Sequence, residues 1–190
     1  NAWITWSIIL LLALTWIIHD VYKTVKKEEL VSEKSIENKI EDFYFALNDT
    51  IIYSNQKDFK ILIKSGLYFG SVNEQMPLMV ISNDTTEFLL FIKKAKADKK
   101  YDSLIKQWES SITQTDSTYK FSNIEKITEN VIRKEIGTVE LFKNNKIFMG
   151  EILVVESGLD IFIVQGITNI TSWDLMQTDI KTMIRSFEIN

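Results

Sequence analysis

Cysteine is absent from this chain of 190 residues, and histidine occurs once, as His19. The lack of cysteine excludes disulfides, thiolate metal sites and a cysteine nucleophile. A lone histidine is more often a bystander than a base or a ligand, since both roles need convergent partners. The six glycines are scattered and form no phosphate-binding loop, and the 26 acidic residues show no calcium-loop spacing. The sequence therefore predicts no catalytic residue, no metal and no cofactor.

Arginine is also scarce, and this disfavours one class of partner. Among 22 basic residues only Arg133 and Arg185 are arginine, and the net charge is −4. The planar guanidinium groups that bind phosphates and base edges are therefore nearly absent, and nucleic acid is not an expected partner. Hydrophobic residues make up 45% of the chain and charged residues 25%, which is typical of a chain that buries a core.

The first eighteen residues contain no charge, whereas residues 20–42 contain 12 charged side chains. Residues 2–18 would form a helix of about 25 Å, close to the thickness of the hydrocarbon layer. Tryptophans lie near both ends, where amphipathic rings favour the headgroup level. We therefore predict a single transmembrane helix over residues 1–18. The residues expected to contact the lipid bilayer are Trp3, Trp6, Ile8, Leu11 and Trp16.

The same segment has two other interpretations. A cleaved signal peptide needs small residues after its apolar core, but the sequence there is Trp-Ile-Ile-His-Asp. A buried soluble helix normally keeps a polar face, which residues 8–14 lack. For the side of the membrane, three lysines at 23, 26 and 27 favour the cytoplasm by the positive-inside rule, but the rule compares both flanks. Our expectation leans slightly to an extracytoplasmic domain.

Residues 19–49 are predicted to form a juxtamembrane helical stalk. Four apolar residues recur at helical spacing amid charge, which indicates one apolar stripe. Such a stripe usually packs on its own domain, and the alternative is a helix that binds a partner subunit. The residues of this stripe are Ile36, Ile40, Phe43 and Leu47.

Residues 50–190 are predicted to form one α+β domain. Alternation predicts strands at 58–64, 78–81 and 87–92, and helical spacing predicts a helix at 101–112. Residues 130–142, 146–155 and 160–167, joined by tight turns, predict an antiparallel meander. Thr171 and Asp174 resemble a capping box before a helix whose stripe runs from Trp173 to Ile184, and a last short strand follows. The expected fold is an antiparallel sheet packed with helices.

The end of the chain, "GEILVVESGLDIFIVQGITNITSWDLMQTDIKTMIRSFEIN", resembles the closing third of the PsbP-like superfamily. The pattern that carries the resemblance is a long meander, a helix with tryptophan near its start and a terminal "SFEI". The resemblance extends from about Phe59 to the end and implies a non-enzymatic sandwich that docks on larger assemblies, often at membranes. The superfamily includes the extrinsic PsbP protein of photosystem II and many bacterial lipoproteins. No functional residue carries over from it.

These observations lead to a functional expectation with one alternative. We expect a single-pass, membrane-anchored accessory or scaffold subunit, not an enzyme, whose partners are other membrane protein subunits and the lipid bilayer. The alternative is an anchored sensor or binding module that holds a small ligand.

Overall fold

Eleven strands, two helices and one 3₁₀ turn make up the part of the chain that the structure describes. The structure is a computed structural model, and it describes residues 43–82, 87–98, 100–113, 118–129 and 132–190. The strands are β1 (Tyr44–Phe45), β2 (Thr50–Tyr53), β3 (Phe59–Ile63), β4 (Tyr68–Gly70), β5 (Leu78–Ile81), β6 (Leu89–Lys96), β7 (Tyr119–Glu129), β8 (Ile132–Lys143), β9 (Lys146–Ser157), β10 (Asp160–Asn169) and β11 (Glu188–Ile189). The helices are α1 (Leu104–Thr113) and α2 (Trp173–Arg185), and the 3₁₀ turn Ile170–Ser172 leads into α2.

Eight strands form one antiparallel sheet in the order β1-β4-β5-β6-β10-β9-β8-β7. It contains the predicted meander of β8, β9 and β10 as adjacent antiparallel strands, which confirms this part of the sequence analysis. Asn144 and Asn145 form the first turn with φ of 52° and 59°, values that asparagine adopts more readily than most residues. β10 is buried at every position from Ile161 to Thr168, because both faces of the sheet are covered there.

One face of this sheet, which we call the α2 face, is covered by α2 and by a second sheet of three strands in the order β11-β3-β2. Alternate residues of β3 are fully buried, as the period of a half-buried strand requires. They share one core with the apolar stripe of α2. The central members of this core are Phe59, Ile61, Ile63, Ile180, Met183 and Ile184.

The opposite face is covered by α1, which the sequence analysis predicts correctly. Leu104, Ile105 and Trp108 are buried against the strand residues that alternate with those of the α2 face. Ser103 caps the helix, because its hydroxyl accepts a hydrogen bond from Lys106 N at 3.2 Å. The buried carboxylate of Glu135 accepts hydrogen bonds from the Ser103 hydroxyl at 2.6 Å and from Ile105 N at 3.0 Å. A side chain of β8 thus holds the start of α1 on the sheet.

The start of the folded unit differs from the predicted stalk. The unit begins at Phe43, and Tyr44 and Phe45 form a strand where the apolar stripe predicts a helix up to Leu47. The reason is tertiary: the two rings lie against Phe69 and Tyr68 of β4, with centroids 5.9 Å and 4.9 Å apart. Pairing with a neighbouring strand outweighs a local helical pattern.

The predicted capping box before α2 was wrong. The residue that caps α2 is Ser172, and its side chain makes no capping hydrogen bond. The chain enters α2 through the 3₁₀ turn instead, where the Asn169 side chain accepts a hydrogen bond from Thr171 N at 3.1 Å. Among the residues that the structure describes, no helix is long and apolar enough to cross a membrane. The predicted transmembrane helix at residues 1–18 lies outside those residues.

Candidate docking groove

A groove runs along the α2 face, between α2 and the edge strand β7. α2 packs on β9 and β10, so β7 and β8 extend beyond the helix and form an open floor. Two cavities of about 240 Å³ and 350 Å³ lie in this channel, and Glu125, Ile136 and Arg185 line both of them. We call the two cavities together the β7–α2 groove.

The floor of the groove is apolar at one end and polar at the other. Ile127, Ile136, Leu153 and Phe187 belong to the core of the α2 face and also line the larger cavity. The smaller cavity is lined by polar and charged groups as well as by the indole of Trp173. The charged side chains of the two cavities are Glu125, Lys134, Glu151, Lys181 and Arg185. The groove therefore offers both signs of charge around an apolar strip.

An ion pair holds Arg185 at the junction of the two cavities. Its Nε lies 3.1 Å from Oε1 of Glu151, and its Nη2 lies 3.5 Å from Oε2. The Glu151 side chain is only 9% exposed, whereas that of Arg185 is 62% exposed. The carboxylate therefore depends on this guanidinium, while the outer side of the guanidinium still faces the groove.

The outer strand of the groove floor is β7, which the sequence analysis missed. Its register with β8 shifts between Ser122 and Glu125, and Asn123 has φ of 52°, which marks a β-bulge. The bulge adds one residue, so Phe121 and Ile124 share a face although three positions separate them. Strict alternation is the signal by which a strand is predicted, and the bulge removes it. Arg185 and Glu151 were missed because only the fold brings them together.

A second, polar pocket of about 330 Å³ lies where the connection between β2 and β3, the connection between β4 and β5, and strand β6 meet. Nζ of Lys94 lies 3.2 Å from Oδ2 of Asp58 and 3.6 Å from Oδ2 of Asp160. Asp58 also accepts a hydrogen bond from the Ser54 hydroxyl. The lining residues are Ser54, Asn55, Gln56, Asp58, Ser71, Asn73, Glu74, Pro77 and Lys94.

The charges beside this pocket shift the pKa values of their neighbours. Partial burial is the largest effect on Lys94 and lowers its pKa, but Asp58 and Asp160 together outweigh it, so the pKa is raised. The pKa of Asp160 is lowered, chiefly by the hydrogen bond from Lys96, whose Nζ lies 2.5 Å from Oδ1. These ion pairs link Asp58, the residue directly before β3 of the small sheet, to β6 and β10 of the large sheet.

The residues predicted from the sequence as contact residues lie almost entirely outside the described part of the chain. Phe43 and Leu47 are the exceptions: Phe43 is half-buried, and Leu47 is 80% exposed. Neither residue lines the groove or the polar pocket. Across the described ranges, no three acidic or histidine side chains converge in a way that could hold a metal ion. The predicted residues outside these ranges are Trp3, Trp6, Ile8, Leu11, Trp16, Ile36 and Ile40.

Comparison with known proteins gives a likeness in fold. No protein-family model matches the chain, and no curated protein does. The solution structure of cyanobacterial PsbP (CyanoP) from Synechocystis sp. PCC 6803 superimposes with a TM-score of 0.60 at 10% identity, over 76% of this chain and 94% of that one. A crystal structure from Bacteroides thetaiotaomicron VPI-5482 gives 0.50 at 10% identity, over 76% of this chain and 49% of that one.

A third similar structure is LpqN of Mycobacterium tuberculosis, a protein involved in cell envelope biogenesis. Its TM-score is 0.48 at 11% identity, over 75% of this chain and 91% of that one. At identities near 10%, the likeness to the first two structures concerns the fold alone. Over about three quarters of its length, this chain has a PsbP-like fold.

Proposed function

We propose that this chain is a non-enzymatic accessory subunit of a larger membrane protein complex. In this proposal residues 2–18 anchor it in the bilayer, and its α+β domain docks on other subunits. The observation that carries the proposal is the β7–α2 groove, an apolar strip between charged walls on a face that α2 leaves open. The PsbP-like fold supports it, because the resemblance implies docking on larger assemblies.

The shape of the groove favours an amphipathic helix of a partner subunit. Strands lie about 4.8 Å apart, and a helix with its side chains is about 10 Å wide, so the lane over β7 and β8 has the width of one helix. The apolar side of such a helix would cover Ile127 and Ile136. Its polar side would face Glu125, Lys134 and Lys181 at the rim, where charge complementarity selects a partner more than it adds affinity.

A second candidate function is the binding of a small polar ligand, and the pocket beside Lys94 favours it. That pocket is lined by one ammonium, two carboxylates and three side-chain amides around a volume of about 330 Å³. We would test it by measuring the unfolding temperature of the chain with sugars, amino acids and dicarboxylates. A rise that Asp58→Asn removes would support a ligand-binding module.

The proposed function is tested by purifying the tagged chain in mild detergent and quantifying every protein that co-migrates. We expect a fixed stoichiometric set of membrane proteins, which is lost when Ile127→Asp places a charge in the groove. Leu159→Asp is the matched control, since Leu159 is 74% exposed and lines neither cavity. Docking through the groove would be contradicted if the chain purified alone, or if the same membrane proteins still co-migrated with the Ile127→Asp variant.

A further inference from the structure

A separate surface lies at the free edge of the three-stranded sheet, on β2. Ile51 and Tyr53 are 59% and 60% exposed on the outer face of this sheet. Ile52, between them, packs instead against the core of the α2 face. The strand Thr50–Tyr53 has no charge and no proline, and its register with β3 has no bulge. Edge strands are usually protected by one of these features, and β7, at the end of the large sheet, carries a bulge and charges.

The backbone of β2 offers unpaired groups at the same edge. Ser54 N donates to Phe59 O at 3.1 Å, so Ser54 directs its backbone groups toward β3. Directions alternate along a strand, so Thr50 and Ile52 also point toward β3, while Ile51 and Tyr53 point outward. In the described part of the chain no strand pairs with this edge. Two N–H groups and two C=O groups are therefore presented beside two apolar side chains.

This combination of groups favours one kind of occupant, an extended strand. A lipid surface would cover the side chains but leave the four backbone groups without partners, which is costly in hydrocarbon. An amphipathic helix has no free backbone groups to offer along its length. A strand satisfies the backbone and packs its own side chains on the same face.

We propose that this strand is β2 of a second copy of the chain, paired antiparallel about a two-fold axis through Ile52. In this register Ile51 lies opposite Tyr53 of the second copy, and Tyr53 lies opposite its Ile51. All four outward backbone groups of each copy are then bonded. Two other antiparallel registers bond fewer of these groups. With Ile51 opposite Ile51, Tyr53 would face Asp49, and with Tyr53 opposite Tyr53, Ile51 would face Asn55. Asp49 and Asn55 both lie outside the strand β2.

The side chains agree with this register. Ile51 and Tyr53 form an apolar–aromatic cross-strand pair on the outer face, and the two-fold axis repeats the pair. Beyond the strand Asp49 lies opposite Asn55, so no like charges meet. The contact is small, and interfaces that bury less than about 1,200 Å² are typically transient, so dimerisation depends on concentration. It does not involve the β7–α2 groove and goes beyond the docking function proposed above.

Single cysteines test the register, because the chain has no cysteine of its own. Ile52 would face Ile52 of the second copy in a non-bonded pair with Cα atoms about 4.5 Å apart, within the range of a disulfide. We expect the full-length Ile52→Cys chain in detergent micelles to form a disulfide dimer on mild oxidation. Ile51→Cys alone should not, since two copies of residue 51 are diagonal neighbours, but a mixture of Ile51→Cys and Tyr53→Cys should. Leu159→Cys is the control, because a disulfide at this exposed position would report random collisions between chains.

A charge exchange supplies a second measurement that leaves the core untouched. The double variants I51K/Y53K and I51E/Y53E alter only exposed side chains. In a dimer of either variant, residues 51 and 53 of one copy would face like charges at residues 53 and 51 of the other. Each variant should therefore sediment as a monomer at concentrations where the unmodified chain dimerises. An equimolar mixture of the two should dimerise again. The proposal is overturned if cysteine at 51 cross-links as readily as cysteine at 52, if either charged variant still dimerises alone, or if the unmodified chain stays monomeric at every concentration.

Discussion

Among the glycines of the described residues, Gly150 is the one where the surrounding structure leaves least space for a side chain. A Cβ atom there would lie 1.9 Å from Gly166 O on the neighbouring strand β10. Gly166 in turn lies under α2, where a Cβ atom would meet Ile180 Cγ2 at 3.0 Å. Glycine at these positions lets β9 and β10 pack closely beneath the helix. Glycine inside a strand is typical of such close packing, and the folded pair of strands shows which glycines meet.

We predict that Gly150→Ala destabilises the domain by about 3 kcal/mol, the upper end of the cost of overpacking. The measurement is urea unfolding followed by circular dichroism. Gly137→Ala is the matched control: it lies on the adjacent strand β8, and its nearest neighbours would be 3.2 Å from the new Cβ atom. It should cost clearly less. Equal losses in the two variants would show that the short approach to Gly166 does not determine stability.

The Glu151 carboxylate makes a second prediction at the scale of single residues. Its side chain is 9% exposed and paired with Arg185, so removing the guanidinium leaves a nearly buried charge without its partner. Because Arg185 is itself 62% exposed, water compensates in part, and we expect Arg185→Ala to cost about 1–3 kcal/mol. Adding Glu151→Gln should recover part of that loss in the same unfolding assay. A double variant that is less stable than Arg185→Ala would contradict this account.

At the scale of elements, α1 depends on a carboxylate from the sheet. Glu135 is 2% exposed and accepts hydrogen bonds from Ser103 and Ile105 at the start of the helix. A negative group there also complements the positive end of the helix dipole. We expect Glu135→Ala to cost about 2 kcal/mol, since it leaves buried donors without an acceptor, and Glu135→Gln to cost less. Hydrogen exchange should show the loss first in the amides of 104–113. A uniform change over all strands would contradict this.

The ion network beside the polar pocket joins β6 and β10 to Asp58, directly before β3, and makes the stability of the domain depend on pH in the acid range. In the folded state the pKa of Asp160 is lowered from its ordinary value of 3.8. As the pH falls past that value, the unfolded state therefore binds more protons than the folded state does. The contribution of Asp160 is fully present above about pH 5 and is lost progressively below pH 3.8. We predict that Asp160→Asn flattens the decline of the unfolding free energy in that range. An unchanged slope would remove Asp160 from this role.

At the scale of the whole molecule, the sequence predicted the elements with a regular period and missed those defined by pairing. The meander, α1 and the stripe of α2 follow from spacings that residues such as Trp108 and Ile180 show in the sequence itself. β7 was missed because its bulge at Asn123 breaks the alternation. β1 and β2 are short and lie at sheet edges, where partner strands from elsewhere in the chain determine their structure. The β7–α2 groove could not be predicted from the sequence either, because it forms between two elements that are distant along the chain.

The measurement that tests the docking function most directly is site-specific photocrosslinking in the membrane. A photoreactive side chain at Ile127 would sit in the β7–α2 groove, and the same group at Leu159 would lie outside both cavities. We predict that position 127 cross-links to one defined membrane protein, and that position 159 does not. Cross-links of equal yield at the two positions, or none at 127 while other membrane proteins still co-purify, would contradict docking through the groove.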